Sequence, residues 1–171
     1  TINISSPNTP GLRSLQFGEA LDELLGALKN RQKALAEQWL RYVPMAVKVA
    51  PDLTLEEVQQ LAECFTRFQI DAVIATNTTL SREQVVGLEH AEEAGGLSGA
   101  PVFAKSTEIV RQFRQFLPAD MPIIAAGGIM SAEDAMQKLE AGAQLVQIYS
   151  GLIYQGPRLI QDIVKTIQVR R

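Results

Sequence analysis

The segment Asn3-Ile-Ser-Ser-Pro-Asn-Thr-Pro-Gly-Leu-Arg13 concentrates the amide and hydroxyl side chains of Asn3, Ser5, Ser6, Asn8 and Thr9 in seven positions. Pro7, Pro10 and Gly11 give it shape, because proline fixes φ and removes a backbone donor while glycine tolerates angles other residues resist. A rigid loop of this composition can hydrogen-bond a small polar ligand. The same residues can also form a turn that satisfies only itself. Further along, Lys48 interrupts the apolar run Met45–Ala50, where an unpartnered ammonium is costly. It is either a charge aimed at a ligand or an edge lysine whose stem packs while its head reaches water. Gly127-Gly128 and Tyr149-Ser150-Gly151 each follow an apolar run, and backbone N–H groups at such turns can hold an anion. Two ordinary strand-to-helix turns would read the same way. Gly95-Gly-x-x-Gly99 is not a dinucleotide fingerprint, because no strand leads directly into it.

Alternating strands and helices must position these residues. Phe17 to about Gln38 reads as a helix with Leu21, Leu24, Leu25 and Leu28 on one face, and Lys29 to Arg41 as a solvated charged face. Met45–Ala50 has the length of a strand. Thr54 and Glu57 form a capping box ahead of an amphipathic helix carrying Val58, Leu61, Ala62, Phe65 and Phe68. Asp71–Thr76 is the next strand, and Asn77–Pro101 is too long for a simple turn, so it reads as a functional or mobile loop, plausibly a lid. Ser106–Phe116 is a helix with Ile109, Val110 and Phe113 inward. Pro122–Ala126 is a strand, Ser131 caps a helix with Asp134 in its first turn, and Ala143–Tyr149 is the last strand. Pro157 opens a final helix with Leu159, Ile160, Ile163, Val164 and Ile167 inward. The four strands are too apolar to alternate cleanly, as expected for parallel strands buried on both faces. This pattern permits a doubly wound sheet or a (β/α)₈ barrel. The polar residues tip the choice to the barrel: Lys48 apart, they cluster at strand C-terminal ends, where barrels carry their sites.

The Asn3-x-Ser-Ser6-Pro-Asn8-Thr-Pro-Gly stretch resembles the active-site loop of dihydroorotate dehydrogenases, specifically the class 2, quinone-linked, membrane-associated type. Ala46-Val-Lys48-Val-Ala-Pro-Asp52, Ala75-Thr-Asn-Thr-Thr79, Gly95-Gly-Leu-Ser-Gly99, Ile124-Ala-Ala-Gly-Gly-Ile129 and Val146-Gln-Ile-Tyr-Ser-Gly151 resemble the same family in the same order. The resemblance runs nearly end to end and implies a (β/α)₈ TIM-barrel fold, of which residues 1–171 form a single partial FMN-binding domain, roughly the C-terminal half. A full barrel typically takes about 250 residues. The earlier strands, a substrate-binding lysine and the N-terminal membrane-associating helices would lie outside this sequence.

The resemblance also implies roles. Ser6 matches the catalytic base, with Thr9 as a relay partner for its proton, and serine rather than cysteine there points to class 2. Asn3, Asn8, Asn77 and Thr78 match substrate-binding positions. Asn3, Lys48, Thr76, Gly99, Gly128, Tyr149 and Ser150 match positions that hold FMN. The implied activity is oxidation of dihydroorotate to orotate with a quinone as acceptor, in de novo pyrimidine (UMP) synthesis, by a protein peripheral to the cytoplasmic or mitochondrial inner membrane. The alternatives are a half-barrel that binds phosphate or FMN without turnover, and a different FMN- or phosphate-binding barrel. The second explains the glycine turns but not Asn3-x-x-Ser6-Pro-Asn8.

Composition agrees with a soluble core-forming chain: 171 residues, 46% hydrophobic, net charge −3 with both signs mixed, which gives a nucleic-acid role little support. A single cysteine, Cys64, excludes an internal disulfide and suits a reducing compartment. No apolar run approaches the roughly 20 residues needed to span a bilayer, and no signal peptide is visible. His90 reads as a solvated loop residue, Cys64 as a buried or half-buried thiol, and Trp39 and Tyr42 as packing at a helix end. No His/Cys/Asp/Glu spacing suggests a metal site. A half barrel would leave apolar edges uncovered, so self-association is expected.

Overall fold

The structure, a computed structural model, describes residues 1–169. Five strands, β1 (Ile2–Asn3), β2 (Ala46–Val49), β3 (Ala72–Ala75), β4 (Ile123–Ala126) and β5 (Leu145–Gln147), form one parallel sheet in the order β1-β2-β3-β4-β5. That order decides between the two architectures. A doubly wound sheet reverses its strand order at a switch point, whereas here every strand lies beside its neighbour in sequence, as around a (β/α)₈ barrel. The chain is therefore an arc of such a barrel. Strand β3 is buried at all four positions, which is why its sequence is Ala-Val-Ile-Ala and not alternating. The register sets Asn3 beside Lys48 and Lys48 beside Ile74.

Helices α1 (Gly18–Trp39), α2 (Leu55–Arg67), α3 (Phe103–Phe116), α4 (Ala132–Glu140), α5 (Ser150–Gln155) and α6 (Arg158–Val169) follow the strands. The expected capping box opens α2: Thr54 Oγ1 accepts from the Glu57 N–H and the Glu57 carboxylate from the Thr54 N–H. Ser131 likewise accepts from the Asp134 N–H to open α4. The apolar faces of α2 and α3 meet over the sheet, with Phe65 and Phe113 stacked at 6.4 Å between ring centroids. Val47, Val49, Val58, Leu61, Val73, Val110 and Ile123 are fully buried with them, and each such side chain contributes about 1.5–3 kcal/mol. A smaller cluster of Ile129, Ala135, Leu159 and Ile163 joins α4 to α6.

Several expectations are corrected. Strand β1 adds a fifth strand to the four read from pattern, because a two-residue strand shows no periodicity. The short α5 was hidden between Tyr149 and Pro157. Ile160 and Val164 are nearly half exposed, so only Leu159 and Ile163 of α6 pack fully inward. Trp39 is exposed at the end of α1 instead of packed. Lys29 and Gln32, read as part of a solvated face, are buried: Lys29 Nζ donates to the Gln69 carbonyl at 2.8 Å and Gln32 Nε2 to the Val43 carbonyl at 2.8 Å. Periodicity could not show this, because the α1–β2 turn folds back onto that face. The Asn77–Pro101 segment is a long loop as expected, pinned by an antiparallel bridge between Thr79 and Leu97.

Candidate functional site

At the C-terminal ends of β2 to β5 the sheet opens into a cavity of about 510 Å³. Lys48, Thr76, Asn77, Thr78, Gly99, Gly128, Tyr149 and Ser150 all line it, together with Ser98 and Gly127. Each strand delivers its residues because the apolar stretch ends there: Thr76 and Asn77 follow β3, the two glycines follow β4, and Tyr149 and Ser150 lie just beyond β5. A larger hollow of about 760 Å³ between α4 and α6 contains none of these residues.

The loop after β1 borders this cavity through a network of amides and hydroxyls. Asn3 Oδ1 accepts from the Ser5 N–H at 3.3 Å and from Asn77 Nδ2 at 3.1 Å. Ser5, fully buried, donates to the Lys48 carbonyl at 2.7 Å, so loop and strand β2 are joined beneath Asn3. The Asn77 side chain is fixed at its other end by the Thr78 N–H at 2.8 Å. Asn8 Oδ1 accepts the Gly96 N–H at 3.0 Å, which brings the long loop over the first one. Gly96 has to be glycine for steric reasons: a Cβ there would sit 1.9 Å from Thr78 Oγ1 and 2.7 Å from Pro7 Cγ. Ser6 Oγ is half-buried and accepts the Asn8 N–H at 3.3 Å. Thr9 is exposed, and its carbonyl accepts the Leu12 N–H.

Lys48 is half-buried, and among the described residues its Nζ has no hydrogen-bond or ion-pair partner. Burial pushes its pKa below the ordinary lysine value. Across the cavity, Gly127 and Gly128 have φ of 113° and 76°, and a Cβ on Gly128 would lie 2.5 Å from the Phe103 backbone. Gly151 is held as tightly, since a Cβ would meet the Ile129 carbonyl oxygen at 2.1 Å. Ser150 Oγ donates to Ser98 Oγ at 3.1 Å, tying the start of α5 to the long loop. One cation, an amide cluster and close-packed glycine turns suit a ligand with a polar ring at one end and an anion at the other.

A model of the dihydroorotate dehydrogenase family matches residues 1–170. The chain belongs to that family. It is 59% identical over 169 residues to the quinone-type dihydroorotate dehydrogenase of Shewanella pealeana, covering 99% of this chain and 50% of that protein. It is also 59% identical over 168 residues to that of Pasteurella multocida, covering 98% and 50%. The chain spans about half the length of the curated relatives it matches. Among solved structures, dihydroorotate dehydrogenase of Eimeria tenella with ferulenol superposes with a TM-score of 0.88 at 35% identity, covering 95% of this chain and 46% of that one. The ligand-free form gives 0.86 at 37% identity, covering 95% and 48%.

Within the dihydroorotate dehydrogenase frame, the structure brings Lys48, Thr76, Asn77, Thr78, Gly99, Gly128, Tyr149 and Ser150 onto one wall. Asn3 at the end of β1, and Ser6 and Asn8 on the loop after it, stand outside that wall, with Asn3 bonded to Asn77 and Asn8 to Gly96 of the long loop. Tyr149 lines the cavity although the residue is 80% exposed. Two residues had no role in the sequence reading. Arg13 donates to the Ser5 carbonyl at 3.1 Å, to the Thr78 carbonyl at 2.9 Å and to Asp52 at 3.0 Å. Asp52 further accepts from the Thr79 hydroxyl, the Leu80 N–H and Lys105. Asp52 closes a stretch that carried the resemblance, which was the signal available for it, whereas Arg13 lies two residues beyond the first such stretch. Among the described residues no His/Cys/Asp/Glu group is arranged to hold a metal, and no helix is long and apolar enough to cross a membrane.

Proposed function

We propose that this protein takes part in the oxidation of dihydroorotate to orotate, with FMN bound in the 510 Å³ cavity and a quinone as final electron acceptor. The observation that carries the reading is the half-buried Lys48 ammonium, unpartnered beside Thr76 and Asn77 and facing a glycine-turn wall. An unpaired charge at such a position is costly unless a ligand group answers it. A bound flavin would supply the acceptor for the substrate's hydride and the carrier of its electron pair to the quinone.

The chain's own residues account for the remainder. Ser6 Oγ takes the proton from the substrate ring carbon while its own hydroxyl proton passes outward, and the Asn8 N–H at 3.3 Å holds that oxygen in place. A serine hydroxyl is a weak base, so the loop over it, held by Asn8 to Gly96, has to exclude water while Thr9 offers a route for the proton outward. Asn3, Asn8, Asn77 and Thr78 orient the substrate's ureide edge and carboxylate by their amides and hydroxyl. Lys48 stabilises negative charge where the electron pair arrives. Gly99, Gly128, Tyr149 and Ser150 hold the phosphate end through their backbone N–H groups.

A quinone acceptor puts the reaction at a membrane. A second reading, FMN or phosphate binding without turnover by the 171 residues alone, is favoured by the half-length match to the relatives. The two are separated by loading the protein with FMN and following dihydroorotate-dependent reduction of a quinone. Turnover supports the first reading, and bound flavin that dihydroorotate does not bleach supports the second.

A further inference from the structure

Lys138 of α4 is fully buried, yet among the described residues no carboxylate lies within ion-pair distance of it. Its Nζ donates to Ser106 Oγ at 2.6 Å and to the Phe103 carbonyl at 3.2 Å, and lies 4.6 Å from the Phe103 ring centroid. Ser106 Oγ in turn lies 3.1 Å from both the Gly127 and the Phe103 carbonyls, which share its one proton. A chain of hydrogen bonds thus runs from a buried ammonium to the first peptide of the glycine turn. A peptide is planar and trans, so anchoring the Gly127 C=O on Ser106 points the Gly128 N–H the opposite way. Gly128 lines the cavity. Donation from an ammonium through a hydroxyl to that carbonyl also polarises the peptide and strengthens its N–H as a donor.

We propose that Lys138 is a positioning residue for the anion site: a cation beneath the Gly127-Gly128 turn that aims and polarises the Gly128 N–H toward the phosphate of a bound flavin nucleotide. The assignment rests on the reading of the cavity as an FMN site. Burial lowers the Lys138 pKa to about 7; Asp134 on the same helix raises it and Arg111 on α3 lowers it further. A phosphate arriving above the turn favours the ammonium, so binding takes up a proton when the free lysine is neutral. Wild-type affinity for FMN therefore falls as pH rises above 7, because that uptake grows harder.

The test is a pair of dissociation constants, for FMN and for riboflavin, measured by flavin fluorescence from pH 6 to 9. The proteins are wild type, Lys138→Met and Ser106→Ala, the last leaving the lysine in place but cutting the chain. The expected result is that both variants bind FMN about tenfold or more weakly, the loss of one charge-assisted hydrogen bond. Riboflavin affinity stays unchanged, and the fall of FMN affinity with pH flattens in Lys138→Met. Variants that match wild type for FMN, or lose riboflavin equally, overturn the assignment and leave Lys138 a packing residue. Wild type that binds riboflavin as tightly as FMN, or neither flavin, overturns the FMN reading itself and the Lys138 assignment with it.

Discussion

Arg13 Nη1 lies 3.0 Å from Asp52 Oδ2, and this ion pair joins the loop after β1 to the segment after β2 at the rim of the cavity. Both side chains are about one-fifth exposed. Asp52 also gathers Thr79, Leu80 and Lys105, so one carboxylate ties the first loop, the long loop and α3 together. Burial works against its charge, but the Thr79 hydroxyl, the Leu80 N–H, Lys105 and Arg13 outweigh that and hold its pKa below the ordinary aspartate value.

A depressed carboxylate stabilises the folded state in full above its unfolded pKa, near 4, and the contribution is lost as pH falls through the folded value. Asp52→Asn should therefore lower stability at pH 7 by about 1–3 kcal/mol and shrink the loss between pH 5 and 3. Thermal unfolding of the two proteins across that range checks it. Parallel pH curves would contradict it.

Gly96 tests the docking of the long loop over the first one. Gly96→Ala should drive the loop off Thr78 and Pro7, since the new Cβ has no room. The loop is peripheral to the core, so the unfolding temperature should change little while KM for dihydroorotate rises. A KM equal to wild type would mean that the loop contact has no part in binding.

Lys48→Met removes the unpartnered charge. Without it the bound flavin should be harder to reduce, with its midpoint potential more negative by about 30 mV or more, equivalent to about 1.4 kcal/mol for a two-electron couple. Spectroelectrochemical titration measures this directly. An unmoved potential would place the ammonium away from the ring.

Much of this was legible in the residues and some was not. Thr54 with Glu57, Ser131, and the apolar faces of α2 and α3 announced themselves because their partners lie within four residues or repeat with the helical period. The order of the motifs gave the site wall, since parallel strands in sequence order bring every C-terminal end to one rim. What could not be read were pairings across the chain, such as Arg13 with Asp52, Ser5 with Lys48 and Lys138 with Ser106, which no local pattern encodes. Lys29 and Lys138 also show that a charge on a helix is not always a solvated one.

The sheet's open side predicts association. Strand β5 exposes Leu145, and Ile153, Tyr154, Ile160 and Val164 are exposed on the two helices after it. A surface of this kind is normally covered. Light scattering of the 171-residue chain should show mass rising with concentration. A monodisperse monomer across the accessible range would contradict this.

The most direct test of the central claim is anaerobic mixing of the FMN-loaded protein with dihydroorotate, comparing wild type with Ser6→Ala. The account predicts that wild type bleaches the visible flavin band within a turnover. Ser6→Ala should hold the same amount of flavin and bleach it at least about a hundredfold more slowly, the loss of a positioned base. Equal bleaching in both would show that Ser6 is not the base. Flavin retained by wild type but not bleached would mean that the site binds without catalysing.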